Sequence, residues 1–191
     1  MKEGLMLVVA LGCLAFTAAC TDPDKAPAEA ALKAADSAAA QLGRDVAQLA
    51  PAQAKAVEDA LAAAKGLMAR KDYRGALAGA SAVPSKVAEA TTAAAARKAD
   101  LTKAWTEASR DVQNLVYAIE DRLDILSGAK KLPRGLDDAA IVWSRETLAT
   151  IDSSWSKLPE RFQKGDMPEA IAEAASLKAQ ASEVLRRIGM P

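Results

Sequence analysis

Apolar residues recur at steps of three and four along nearly the whole chain, the spacing of helices that each bury one face. Leu32, Ala35, Ala39, Leu42, Val46 and Leu49 form the first stripe. Ala50-Pro51 ends that helix and opens the next, because proline suits a first turn. The second helix carries Val57, Leu61, Ala64 and Met68 and closes at Arg70-Lys71-Asp72. A third begins near Tyr73, with Leu77 and Ala80 facing inward. Pro84 is expected to kink or interrupt it, since proline removes a hydrogen bond and crowds the preceding turn. From Ser85 the pattern runs through Leu101, Trp105, Ala108, Val112, Leu115, Ile119 and Leu123 to Leu126. That is a helix of about 65 Å at 1.5 Å per residue. Ser127-Gly128 stops it, and Lys131-Leu132-Pro133-Arg134-Gly135 reads as a loop. A fifth helix opens at Asp137 with Ile141, Leu148, Ile151, Trp155, Leu158 and Phe162 on its stripe, bent at Pro159. The last starts with Asp166-Met167-Pro168-Glu169, a capping-box pattern, and buries Ile171, Ala174, Leu177, Ala181, Val184 and Ile188.

The pattern therefore predicts an all-α fold, an antiparallel bundle of five or six helices. It leaves open a division into two three-helix halves that share the long central helix. A shift of about ninety-four residues pairs Val57 with Ile151, Leu61 with Trp155, Met68 with Phe162, Asp72 with Asp166 and Glu89 with Glu183. Such a repeat would divide residues 26–191 into halves 26–98 and 99–191. The same alignment would also arise by chance between two Ala-rich helices.

Composition sharpens this picture. Of 191 residues, 51% are hydrophobic but only 4% aromatic. Ala supplies about a quarter of the chain, and it is the best helix former and a poor strand former. The aromatics concentrate late, in Trp105, Tyr117, Trp143, Trp155 and Phe162. The C-terminal half is thus expected to be the stable part and the N-terminal hairpin the mobile one. Lys plus Arg and Asp plus Glu each number 25, so the formal net charge is zero. No nucleic-acid partner is expected, because a phosphate-binding surface needs a basic excess.

The N-terminus has a pattern of its own. Lys2 precedes an apolar run from Leu5 to Ala19, too short to span a bilayer comfortably and ending in small residues. Thr17-Ala18-Ala19-Cys20 closes it. This segment resembles the lipobox of bacterial lipoproteins, in which the signal is cut before a Cys that then carries lipid. Ala18 and Ala19 supply the small residues and Cys20 the thiol. Thr17 departs from the Leu usual there, and Glu3 weakens the basic start. Cys13, after Leu11-Gly12, is a rival that would leave a very short apolar run. The resemblance implies a signal peptide over 1–19, a tether over 20–25, a helical domain over 26–191 and membrane attachment through lipid on Cys20. In a Gram-negative host, Thr21 in place of Asp implies the periplasmic face of the outer membrane. Once Cys20 is lipidated, no cysteine pair remains to hold the fold.

Candidate chemistry is sparse. The chain has no His, which excludes a Ser-His-Asp triad, a Cys-His pair and the usual zinc sites. The ten Gly are scattered, with no phosphate-binding loop. No cofactor or metal is called for. Glu120, Asp121 and Asp124 share a helix face with Gln113 and Tyr117, opposite the apolar stripe. Such a group reads either as a weak cation site or as a solvated face partnered by Arg122. Asp137-Asp138 reads as a cap with favourable charge at a helix start. Trp105, Trp155 and Phe162 sit on their stripes and read as core. Tyr117 lies far off its stripe and Trp143 on the flank of its own. Each of these two either packs on another helix or anchors a partner.

The function these features favour is that of a non-catalytic, lipid-anchored cell-envelope protein, a helical scaffold or docking module for an envelope protein of unknown identity. The alternative is a periplasmic bundle that binds a small ligand or cation. A carboxylate-based envelope glycan hydrolase ranks last, because nothing singles out two carboxylates in a cleft. Heptad stripes on Ala-rich helices are also compatible with self-association.

Overall fold

A computed structural model describes residues 22–190. The signal-like segment, Cys13, Cys20 and Thr21 lie outside the described residues. The fold is all-α, with seven helical segments among the described residues: α1 (Lys25–Ala40), α2 (Arg44–Leu49), α3 (Pro51–Ala69), α4 (Tyr73–Gly128), α5 (Asp138–Trp155), α6 (Leu158–Gln163) and α7 (Met167–Arg187). Two of these, α2 and α6, have six residues each. No helix among the described residues is long and apolar enough to cross a membrane.

Helix α4 is the spine, 56 residues and about 84 Å long. Its first half packs with α1 and α3, and its second half with α5, α6 and α7. Helix α3 returns antiparallel to α4, close enough that a Cβ on Gly79 would stand 3.4 Å from Ala64 Cβ. Asp45, just beyond α1, pairs with Lys98 near the middle of α4, and Asp36 within α1 pairs with Lys65 of α3. The start of α1 therefore points to the α3–α4 hairpin end of the spine. In the second half, Asp111 pairs with Lys178, and Arg122 Nε donates to the Ile188 carbonyl at 3.1 Å. These contacts run in step, so α7 is parallel to α4 and packs directly on it, while α5 runs antiparallel to both.

Several local expectations are corrected. The stripe from Leu32 to Leu49 is not one helix. Helix α1 ends at Ala40, and Gly43, in an extended conformation (φ −70°, ψ 164°), stands at the N-cap of a separate helix, α2. Pro84 does not interrupt α4, which continues through it. Its ring is exposed, while Ala80, Val83, Val87 and Ala90 on either side enter one apolar core. That packing offsets the roughly 3 kcal/mol cost of an interior proline. Pro159 does more than bend α5: the helix stops at Trp155, and Pro159 lies in the first turn of α6. The capping box at α7 does not form, because the Asp166 carboxylate makes no cap bond and sits 4.0 Å from Arg161 instead.

The two helix-hairpin turns have the same bonding at positions ninety-four residues apart. Asp72 N donates to Leu67 O and Lys71 N to Met68 O. Asp166 N likewise donates to Arg161 O and Gly165 N to Phe162 O. Both turns need a left-handed residue, Lys71 (φ 63°) in one and Gly165 (φ 107°) in the other. Asp72 then caps α4 by accepting from Gly75 N at 2.9 Å. A Cβ on Gly75 would lie 2.5 Å from that carboxylate, so the cap requires glycine there.

Candidate functional site

The C-terminal half carries the exposed aromatic chemistry. Because α5 is antiparallel to α4, Trp155 comes beside the 112–117 stretch and Arg145 beside Ser127, to which it donates. Helix α5 packs chiefly on α7 and touches α4 at few places. The seam between α4 and α5 stays open as a groove of about 200 Å³. Val112, Gln113, Val116, Tyr117 and Glu120 line one side, and Asp152 and Trp155 the other.

Each wall has a local cause. Val112 is buried because it lies on the inward stripe of α4. Tyr117, five positions on, is rotated by about 140° at 100° per residue, which places it outside, 68% exposed. Trp155 is held by stacking on Trp105, with centroids 5.5 Å apart and planes 13° from parallel. Trp105 stacks in turn on Phe162, at 4.8 Å and 15°. Offset stacks of this kind add to the burial energy of each ring. Only Phe162 of the three is fully buried, whereas Trp105 and Trp155 are half-buried at the edge of the core.

The carboxylates depart from the solvated-face reading in one respect. Arg122 does not partner Glu120, Asp121 or Asp124, since its guanidinium is committed to the end of α7. Among the described residues, no ion pair involves Glu120, Asp121, Asp124 or Asp152. Nor do three or more acidic or Cys side chains converge as a metal site among them. Glu120, Asp121 and Asp124 are exposed and do not form one coordination sphere.

Trp143 sits apart from Tyr117, in a groove of about 410 Å³ between α5 and α7 lined also by Thr147, Ser176, Ala179, Gln180 and Glu183. The Arg187 guanidinium lies over its ring, 4.0 Å from the centroid, a cation–π contact. Arg187 is itself held by Glu183 at 2.8 Å. Hydrogen bonds from Arg186 and Arg187 keep the Glu183 carboxyl below its ordinary range. Trp143 is thus half-buried and engaged within the molecule, whereas Tyr117 is not.

Sequence reading missed two features here. Asp152 joins the groove only through the α4–α5 register, which no local signal encodes. Ser144 stands between Ile141 and Leu148 on the α5 stripe, fully buried, and its hydroxyl has no partner. Its heptad position was visible in the sequence as a polar residue on an apolar face.

A third recess, about 370 Å³, lies where the two halves meet, between α2 and the α6–α7 turn. Gln48 donates to the Gly165 carbonyl at 2.9 Å there, and the Lys98 ammonium hydrogen-bonds Asp45, holding its carboxyl low. The Gln48–Gly165 bond ties the halves together. No protein-family model matches the chain, and no curated protein or solved structure is similar to it.

Proposed function

We propose that this is a non-catalytic, lipid-anchored cell-envelope protein that docks another envelope protein on the C-terminal half of its spine. The observation that carries the reading is Tyr117, a large aromatic side chain 68% exposed at the rim of a groove on a continuous helix. Tyr, Trp and Arg dominate the energy of protein interfaces, and a rigid aromatic loses little entropy on binding. The lipobox-like Thr17-Ala18-Ala19-Cys20 supports attachment through Cys20, only a few residues before α1 starts at Lys25. Helix α1 begins toward the α3–α4 hairpin, so the tether leaves from that end. Tyr117 lies 44 residues beyond Tyr73, about 65 Å along the spine. A protein built this way holds its docking face well clear of the membrane that anchors it. In a Gram-negative host, Thr21 after Cys20 favours the outer membrane, with the body in the periplasm.

The test is cross-linked capture from native envelopes with the wild-type chain, Cys20→Ala and Tyr117→Ala. A partner recovered with wild type, and lost in both variants, supports the anchor and the surface together. Equal recovery with Tyr117→Ala moves docking to another face, and no specific partner with any form removes the reading.

A further inference from the structure

We propose that the α4–α5 groove seats an arginine side chain of the docked protein, with Glu120 and Asp152 taking the guanidinium and Tyr117 and Trp155 its faces. The inference rests on the docking reading above and gives it a chemistry. Charge complementarity selects the occupant. Two carboxylates border the groove from opposite helices, no cation lines it, and neither carboxylate has an ion-pair partner among the described residues. Some carboxylates elsewhere on the fold meet a cation of this chain, as in Asp45–Lys98, Asp111–Lys178 and Glu160–Lys164, whereas Glu120 and Asp152, like Asp121 and Asp124, meet none among the described residues. The groove walls are apolar and aromatic, and Trp155 is fixed by its stack on Trp105.

Size narrows the choice further. At about 200 Å³ the groove is smaller than the roughly 300–1,000 Å³ of sites that enclose a small-molecule ligand. It suits one side chain delivered by a larger partner. Arginine fits better than lysine: its planar guanidinium stacks on aromatic rings and offers several donors to two separated carboxylates, where an ammonium is a point charge.

The experiment titrates the full-length protein, in detergent, with a capped Gly-Arg-Gly peptide and with its citrulline counterpart, which keeps the shape and loses the charge. Tryptophan fluorescence reports on Trp155. The arginine peptide is expected to bind at least about fivefold more tightly than citrulline, a preference that shrinks as salt is raised. Asp152→Asn and Glu120→Gln should each weaken it by about threefold or more while leaving the helical circular dichroism and the melting temperature unchanged, since both groups are exposed and unpaired. Equal binding of the two peptides overturns the proposal, as does unchanged arginine affinity in both charge variants. Agmatine binding more tightly than the peptide would also overturn it, in favour of a free small cation. The envelope capture above separates this from the docking reading. A partner lost with Tyr117→Ala but retained by Asp152→Asn and Glu120→Gln leaves docking intact and removes the arginine.

Discussion

The two halves of the spine solve the same packing problem with different material. Every fully buried position from Ala28 to Ala94 is Ala or Val. Beyond it the buried set contains Leu101, Ile119, Leu123, Leu126, Ile151, Leu158, Phe162, Leu177, Leu185 and Ile188. Small residues let α1, α3 and α4 approach closely, but each removes little apolar surface from water, at about 25 cal/mol per Å². Large residues keep helices further apart and gain more per side chain. They also leave seams where shapes do not interlock, and the α4–α5 groove is one. The Ala-lined half is the close-fitting one, while the half with large side chains buries more apolar surface per residue and leaves the open groove.

The largest expected effect tests the aromatic stack that closes the C-terminal core. Trp105→Ala removes the middle ring between Trp155 and Phe162 and should cost about 3 kcal/mol of unfolding free energy. Chemical denaturation followed by circular dichroism checks it, and a cost under about 1 kcal/mol would mean the rings are surface decoration. In the N-terminal half the opposite change should hurt. Ala64→Leu, fully buried and facing Gly79, should cost about 2 kcal/mol by overpacking. A stabilising Ala64→Leu would show that the Ala-rich half is loosely packed, and the contrast would fail.

Ser144 offers a gain instead of a loss. Its buried hydroxyl is unpartnered, so Ser144→Ala should add about 1 kcal/mol by removing an unsatisfied group and improving helix propensity. A loss on this substitution would point to a water or a partner for that hydroxyl in solution.

The smallest effect is electrostatic. The carboxyls of Asp45, Asp111, Glu160 and Glu183 all titrate below their ordinary range, chiefly through hydrogen bonds from Lys98, Lys178, Lys164 and Arg186. A carboxyl lowered in the folded state contributes stability above its unfolded value and loses it as pH falls through the folded one. Melting temperature should therefore decline gently below about pH 4, and the decline should be shallow because all four groups are exposed or half-exposed to solvent. Asp45→Asn should flatten part of it, and a melting temperature that rises on acidification would contradict these pairings.

Much of the architecture was legible from spacing alone. The 3.6-residue stripes mark every long helix, and Asp137 caps its helix by accepting from Ala140 N. Chain breaks were less legible, since they depend on competition between local preference and packing. A stripe that looked continuous breaks between Ala40 and Arg44, while Pro84 failed to break one, because its neighbours Val83 and Val87 were needed in the same core. At the candidate site, Tyr117 was legible as an aromatic off its stripe. Arg122 was misjudged because its partner, the Ile188 carbonyl, is 66 residues away in the chain.

The sequence by itself determined that this chain is helical, how its helices are amphipathic, and where the small and the large core residues lie, because these follow from residue type and from spacing along one helix. Only the tertiary structure decided that two cores share one unbroken spine, that Trp143 is covered by Arg187 while Tyr117 stays open, and that Asp152 faces Glu120 across a groove. Those outcomes depend on the register of one helix against another, and register is set by many weak side-chain contacts acting together, not by any short stretch of sequence.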